Sequence, residues 1–300
     1  MAGSTEARHR NARGMQDAPP DVVLGHLLDA QIAAAGAVRA AFPALETAAA
    51  LGAETLRAGG KLGYCGAGSS GLMALADALE LSGTFGIPVA RTPMLFAGGA
   101  AALLDMTGAV EDDTASAARD VAAAQLGAGD ILICVSASGA TPYTLAAAEA
   151  TRGTGCRVVG ITSVAASPLP ALSDIAILLD TGAEMVAGST RMGAATAQKI
   201  ALNMLSTLTG LHLGHVHDGL MVNVTADNAK LRDRAARMVA EIAGCSGAQA
   251  AAALAESDGR VKIAVLVAAG ARDAQDASRR LAASDGRLDA GLRGLGHRAR

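Results

Sequence analysis

Two short segments of this 300-residue chain place glycine and hydroxyl side chains directly after apolar runs. The first segment supplies Gly68, Ser69 and Ser70, and the second supplies Ser136, Ser138, Gly139 and Thr141. Glycine lets a backbone approach a ligand, hydroxyl groups donate hydrogen bonds, and a helix that follows presents free N–H groups to an anion. Both segments therefore have the chemistry of a phosphate-binding loop.

Neither loop is a nucleotide-binding fingerprint. The first lacks the combination of a Gly-x-Gly-x-x-Gly spacing and a following ribose-binding acid, and no Gly-x-x-x-x-Gly-Lys occurs. Taken singly, each loop could equally be a turn followed by a helix N-cap. Two loops of the same layout, each after an apolar run, favour ligand binding.

The elements that position these loops are predicted from alternating apolar runs and helical stretches. The apolar runs are residues 61–66, 87–90, 130–135, 157–162 and 175–179. Such alternation predicts an α/β fold with a parallel sheet flanked by helices. After Thr190 we expect helices only, including residues 191–213 and 220–242.

Three regions are expected along the chain. Residues 1–20 are predicted to be a flexible N-terminal arm, residues 21–240 the α/β domain with flanking helices, and residues 241–300 a small all-helical module. In the last region Ser257-Asp258-Gly259-Arg260 recurs as Ser284-Asp285-Gly286-Arg287, 27 residues later. Two copies indicate a repeated helical unit rather than a solenoid.

Composition narrows the class of protein. The formal net charge is −3 and there are only five aromatic residues, Tyr 2 and Phe 3, so neither a basic surface nor stacking platforms favour nucleic acid. The first twenty residues lack the apolar core of a secretory signal, and five polar side chains in residues 200–217 argue against a membrane span. The four cysteines have no Cys-x-x-Cys spacing, which indicates core thiols rather than zinc or disulfides. We expect a cytoplasmic protein that handles a small molecule.

The second loop resembles the Ser-x-Ser-Gly-x-Thr signature of sugar isomerase (SIS) domains, which hold phosphosugars. Further blocks resemble the N-acetylmuramic acid 6-phosphate etherase family, in order from about residue 10 to residue 290. The blocks are residues 77–80, 84–86, 97–99, 111–113, 188–191, 196–199, 203–207 and 228–234. The resemblance implies a SIS-type fold and a homodimer.

The resemblance also implies an activity: cleavage of the D-lactyl ether of N-acetylmuramic acid 6-phosphate to N-acetylglucosamine 6-phosphate and D-lactate, with no metal and no cofactor. Glu80 and Glu111 match the family's two catalytic glutamates. We expect Glu111 to remove the C2 proton and Glu80 to protonate the leaving group and add water. Ser189 and Arg191, in another matching block, are expected to bind substrate. Without the resemblance, Glu80 would be a solvated or N-capping carboxylate and Glu111 a helix-start charge.

Three positions that are basic in the family pattern are uncharged here. Leu72, Ala140 and Gly193 stand where relatives commonly carry a basic residue. Charge-assisted hydrogen bonds to a phosphate and a lactyl carboxylate are stronger than neutral ones. We therefore expect phosphate binding here to depend mainly on hydroxyl and N–H groups.

Two other functions share the same fold. One is a non-catalytic phosphosugar-sensing regulator, in which the loops bind ligand and the carboxylates do no chemistry. The other is an aldose–ketose isomerase, which also uses a carboxylate base near C2 but expels no lactate. Release of D-lactate separates the etherase from both.

Overall fold

Five parallel strands form the central sheet. The computed structural model describes residues 4–224 and 229–296. The strands are β1 (Leu62–Gly66), β2 (Met94–Phe96), β3 (Ile131–Val135), β4 (Arg157–Thr162) and β5 (Ile175–Leu178), in the spatial order β2-β1-β3-β4-β5. Every residue of β1 and β3 is buried, as expected for a parallel sheet covered on both faces. The predicted α/β fold is confirmed.

Within the described residues up to 212, seven α-helices accompany the sheet. They are α1 (Pro20–Ala37), α2 (Phe42–Arg57), α3 (Gly68–Phe85), α4 (Thr114–Ala124), α5 (Pro142–Gly153), α6 (Leu169–Leu172) and α7 (Gly193–His212). Short 3-10 turns join several of them, including Ser4–Glu6 in the N-terminal segment and Gly108–Asp112 before α4.

The helices after β1 and β3 cover opposite faces of the sheet. On one face the buried Tyr64 hydroxyl of β1 donates to the Asp77 carboxylate of α3 at 2.9 Å. On the other face Tyr143 of α5 packs against Cys65 and Cys134, the partners at one position of the β1–β3 pairing. The chain builds the sheet outward in both directions from β1 and β3: β2 lies beside β1, and β4 and β5 follow β3. In such sheets ligands bind in the crevice beyond the carboxyl ends of the two central strands. Both predicted loops leave the sheet there.

Asp77 holds α3 against β1 and α7. Besides the Tyr64 hydroxyl, its carboxylate accepts hydrogen bonds from Asn203 Nδ2 at 2.8 Å and Ser206 Oγ at 2.9 Å. Burial raises the pKa of Asp77, although its three hydrogen-bond donors oppose that rise. A buried carboxylate with three donors fixes the register of these elements, because removing one donor would leave polar groups unsatisfied.

The chain divides into two compact units. The first contains Met1–Ala78 and Ala90–Ser206, and the second contains Leu79–Val89 and Thr207–Arg300, so the division passes through α3 and α7. The second unit contains the short strands β6 (Val216–His217) and β7 (Leu220–Met221). Its helices are α8 (Ala229–Ala243), α9 (Gly247–Glu256), α10 (Val261–Ala268), α11 (Ala274–Ala283) and α12 (Leu288–Arg293). The predicted boundary near residue 240 stays a prediction about domain organisation.

The two Ser-Asp-Gly-Arg segments form the same turn. In each, the serine hydroxyl donates to the carbonyl four residues earlier, Ser257 Oγ to Ala253 O at 2.6 Å and Ser284 Oγ to Arg280 O at 2.8 Å. The aspartates have left-handed backbones, with φ of 52° at Asp258 and 51° at Asp285. Each segment ends one helix and leads into the next, so the sequence repeat corresponds to a repeated helix–turn–helix unit.

Two predicted elements are wrong. Residues 87–90 are not a strand, because Pro88 cannot donate to a sheet and Val89 is exposed; the strand in this region is β2, Met94–Phe96. The predicted helix at 220–242 begins with β7 instead, in a hairpin with β6. The hairpin turns at Asp218-Gly219, both with positive φ, which is a recognised two-residue hairpin signal. Residues 225–228 of that predicted helix lie outside the described residues.

Candidate functional site

A cavity of about 360 Å³ opens in the first unit, where the loops after β1 and β3 meet. Six of the predicted site residues line it together: Gly68, Ser69, Ser70, Glu111, Ser138 and Thr141. Its other lining residues are Glu6, Ala67, Met106, Thr107, Gly108, Ala137, Gly188 and Thr190. Cavities that hold small molecules have volumes of roughly 300–1,000 Å³.

The loop after β1 turns into α3 within two residues because glycines allow close packing. A Cβ on Gly66 would lie 2.9 Å from Gly71 Cα, and a Cβ on Gly71 would lie 2.8 Å from the Phe96 ring. The first N–H groups of α3 have no partner within the helix and carry partial positive charge. The first turn of α3, which contains Ser69 and Ser70, therefore supplies N–H and hydroxyl donors at the cavity wall.

The loop after β3 is held by its own hydroxyl groups. Ser136 Oγ shares a hydrogen bond with Thr141 Oγ1 at 2.8 Å and accepts one from Gly139 N at 3.1 Å. Gly139 has φ of 64°, and a side chain there would overlap the Ser167 hydroxyl. Ser136 and Gly139 thus stabilise the conformation of the loop without lining the cavity, whereas Ser138 and Thr141 line it.

One hydrogen bond joins the two loops. Ser70 Oγ accepts a hydrogen bond from Ala137 N at 3.3 Å. The N-terminal turns of α3 and α5 consequently lie beside one cavity, and two helix N-termini favour an anion there.

Glu111 stands next to the start of α3. It lies half-buried in the 3-10 turn Gly108–Asp112, and a Cβ on Gly68 would lie only 2.6 Å from Glu111 Oε1. Burial raises the pKa of Glu111, and the neighbouring Asp112 charge raises it further. A carboxylate with a raised pKa is a stronger base once it is ionised, which suits proton abstraction.

Besides Ser136 and Gly139, three predicted residues lie outside the lining of this cavity. Glu80 is exposed on α3, in the second unit. Ser189 is half-buried and its N–H donates to Val186 O at 2.9 Å, while Arg191 is exposed. Ser189 lies between two lining residues, Gly188 and Thr190. The roles of all three stay predictions.

Glu6 is a cavity residue that the sequence did not reveal. It belongs to the N-terminal segment predicted to be flexible, and no local pattern connects it to Glu111. The buried Thr5 anchors the segment, since its carbonyl accepts a hydrogen bond from Gly188 N at 3.1 Å. The sequence block around Gly188 matches the family pattern. Its contact with the N-terminal segment is seen only in the folded structure.

The positions without the expected basic residues have different surroundings. Leu72 is half-buried in α3 and Ala140 is exposed in the loop after β3. At Gly193 the buried Glu184 carboxylate accepts hydrogen bonds from Gly193 N and Ala194 N, both at 2.9 Å. An acid therefore caps the N-terminus of α7.

A parallel sheet with glycine–serine loops at the ends of β1 and β3 defines an α/β protein of the SIS class, and the family model described as the SIS domain matches residues 32–163. The N-acetylmuramic acid 6-phosphate etherase of Deinococcus radiodurans is 43% identical over 282 residues, covering 94% of this chain and 92% of the relative. That of Streptomyces avermitilis is 40% identical over 277 residues, covering 92% and 89%. The chain belongs to the N-acetylmuramic acid 6-phosphate etherase family.

Among solved structures, a phosphoheptose isomerase from Francisella tularensis is 23% identical to this chain. It aligns with a TM-score of 0.47 over 64% of this chain and 96% of its own.

Gly68→Ala is expected to weaken the binding of inorganic phosphate by about tenfold, equivalent to ~1.4 kcal/mol. The added Cβ meets Glu111 Oε1, and Gly68 has φ of 52°, which favours glycine. Gly83→Ala is the matched control, because it lies on the same helix with nothing within 4 Å. Calorimetric titration measures both variants; equal affinity of Gly68→Ala and wild type would contradict the role given to this glycine.

Asp112→Asn is expected to lower the pKa of Glu111 while leaving it above the ordinary glutamate range. The variant removes the like charge but leaves burial, the larger cause of the raised pKa. Carboxyl ¹³C NMR titration of Glu111 measures the shift, with Asp105→Asn as the exposed control. An unchanged or higher pKa in Asp112→Asn would show that this charge does not act on Glu111.

Proposed function

We propose that this chain is an N-acetylmuramic acid 6-phosphate etherase, which cleaves the D-lactyl ether of that sugar to give N-acetylglucosamine 6-phosphate and D-lactate. The observation that carries the proposal is the placement of the Glu111 carboxylate beside the N-terminus of α3, in a cavity lined by the hydroxyls of both loops. Relatives named for this activity match nearly the whole chain, which supports the same assignment.

The phosphate is assigned to the ends of the two loops. Ser69, Ser70, Ser138 and Thr141 offer hydroxyl groups, and the first turn of α3 offers N–H groups. Thr141 is also the N-cap of α5, so the N-terminus of that helix adjoins the cavity. No lysine, arginine or histidine occurs among the described lining residues. Neutral donors and helix N-termini would therefore hold the dianion, as expected from the uncharged positions 72, 140 and 193.

Glu111 is assigned to the first chemical step. In the open-chain sugar the C1 carbonyl acidifies the C2 proton, and Glu111 takes that proton. The electron pair of the C2–H bond forms the C2=C3 double bond as the C3–O bond to lactate breaks. The raised pKa of Glu111 suits a carboxylate that must accept a proton and later return it.

Glu80 is assigned to the leaving group and to water. It would protonate the departing lactate oxygen and then take a proton from water as the hydroxyl adds to C3, while C2 regains a proton. No metal or cofactor is proposed for this sequence of steps, because the family resemblance implies none.

Incubation of the wild-type chain with N-acetylmuramic acid 6-phosphate is expected to release D-lactate, and Glu111→Gln and Glu80→Gln are each expected to lower turnover by at least about a hundredfold. Glutamine keeps the size of each side chain but cannot take a proton. Glu46→Gln on α2 is the control and should match wild type. Enzymatic D-lactate assay and calorimetric phosphosugar binding measure turnover and affinity separately.

Three results would contradict these assignments. Full turnover in either glutamine variant removes that residue's role. Tight phosphosugar binding without lactate release supports a sensing protein instead, and conversion of an aldose phosphate to a ketose phosphate without lactate supports an isomerase.

We also propose that the chain acts as a homodimer in the cytoplasm, bound to neither nucleic acid nor membrane. Three apolar side chains repeat every four residues on one face of α1 and are exposed: Leu24 at 65%, Leu28 at 60% and Ile32 at 62%. A contiguous apolar stripe of this kind marks an interaction surface. All four cysteines are free thiols, which is usual in a reducing compartment.

Residues 20–57, which include α1 and α2, also contain an 18-residue stretch of mean hydropathy 1.3, which is long and apolar enough to cross a membrane. The apolar residues of α2, such as Leu45 and Leu56, are already buried within the first unit. We therefore assign the α1 stripe to a second copy of the chain.

Leu28→Lys is expected to convert the dimer to a monomer, because a charge in the middle of an apolar interface is desolvated without a partner. Leu104→Lys is the matched control, since Leu104 is 94% exposed elsewhere on the first unit. Sedimentation equilibrium measures the mass of each variant. A wild-type monomer, or a Leu28→Lys dimer, would overturn the proposal.

A further inference from the structure

Glu6 is held in the wall of the cavity by its own backbone. It ends the 3-10 turn Ser4–Glu6, in which Thr5 is 1% exposed. Gly188 N donates to Thr5 O at 3.1 Å, which ties the turn to the loop that carries Gly188 and Thr190. Glu6, Gly188 and Thr190 all line the cavity.

Gly188 leaves room for the carboxylate of Glu6. Its φ is 76°, and a Cβ built there would lie 2.9 Å from Glu6 Oε2 and 3.5 Å from Oε1. Glycine is therefore required at this position both by the left-handed backbone and by the neighbouring carboxylate. Thr5 and Gly188, which are far apart in sequence, thus together position the Glu6 carboxylate.

The charge of Glu6 restricts what it can contact. Glu6 and Glu111 are the two acidic residues of the described cavity lining. An ionised carboxylate repels a phosphate, but it accepts hydrogen bonds from sugar hydroxyls and amide N–H groups. Glu6 therefore suits the uncharged part of a ligand whose phosphate lies at the N-termini of α3 and α5.

We propose that Glu6 is a specificity-determining residue that accepts a hydrogen bond from a hydroxyl or the acetamido N–H of the phosphosugar. This inference rests on the proposed function, because it takes the same cavity as the substrate site. Glu6 selects an amino sugar phosphate over a bare anion: it stabilises the sugar and repels free phosphate.

Calorimetric titration of Glu6→Gln with two probes tests the proposal. The Kd of N-acetylglucosamine 6-phosphate is expected to rise about tenfold, the loss of one charge-assisted hydrogen bond. The Kd of inorganic phosphate is expected to stay the same or fall, because a repulsive charge is removed. In the lactate assay, KM should rise more than kcat falls.

Two further variants separate ligand contact from folding. Gly188→Ala is expected to reproduce the sugar-specific loss by displacing the Glu6 carboxylate, with no change of charge. Asp17→Asn changes another carboxylate of the N-terminal segment and should match wild type with both probes.

Several outcomes would overturn the proposal. An unchanged Kd for the sugar phosphate in Glu6→Gln would overturn it, and so would equal weakening of both probes, which indicates a structural role. Wild-type protein that binds the sugar phosphate without releasing D-lactate would refute the etherase reaction and leave the comparison of the two probes intact. Wild-type protein that does not bind the sugar phosphate would overturn both.

Discussion

The parallel pairing of β1 with β3 is the constraint on which the site depends. Cys65 lies opposite Cys134 and Gly66 opposite Val135, so both strands end at the same level. Because α3 and α5 then cover opposite faces, their first turns diverge from one point and leave a crevice between them. The Ser70–Ala137 hydrogen bond closes the base of that crevice. Glu111 and Glu6 reach it from segments that belong to neither loop.

The loops were predictable because their chemistry is local. Ser136, Gly139 and Thr141 are near neighbours in sequence, and the hydrogen bonds that hold them form within six residues. The alternation of apolar runs and helices likewise predicted the parallel sheet. Glu6 could not be found in this way, because its position depends on a hydrogen bond between Thr5 and Gly188, which are far apart in sequence.

The elements that were predicted wrongly are short. β2 has three residues, and the hydrogen bond from Tyr64 N to Pro93 O that precedes it depends on the neighbouring strand rather than on local pattern. Ile87 resembled the start of a strand because it is apolar, yet it is buried as a single side chain before Pro88. The β6–β7 hairpin has two residues on each strand, and only Asp218-Gly219 marked it.

The electrostatic environment of the cavity explains how its described lining could bind an anion without a positively charged side chain. The N-terminus of α3 offers N–H donors with partial positive charge, and the hydroxyls of Ser69, Ser70, Ser138 and Thr141 line the same cavity. The N-terminus of α7 has no free N–H groups at these positions for a ligand, because Gly193 N and Ala194 N already donate to the Glu184 carboxylate. The N-terminus of α7 is thus satisfied within the fold, whereas the N-terminus of α3 lies at the cavity wall.

The two tyrosines make the first unit the only part of the protein that emits tyrosine fluorescence. Tyr64 and Tyr143 are both fully buried, both donate to a carboxylate, and the chain has no tryptophan. Leu79–Val89 and Thr207–Arg300, the second unit, contain neither residue type and are silent in that signal. Tyrosine emission therefore follows the sheet that carries the site, while circular dichroism follows the helices of both units. Comparison of the two signals therefore distinguishes unfolding of the first unit from unfolding of the whole chain.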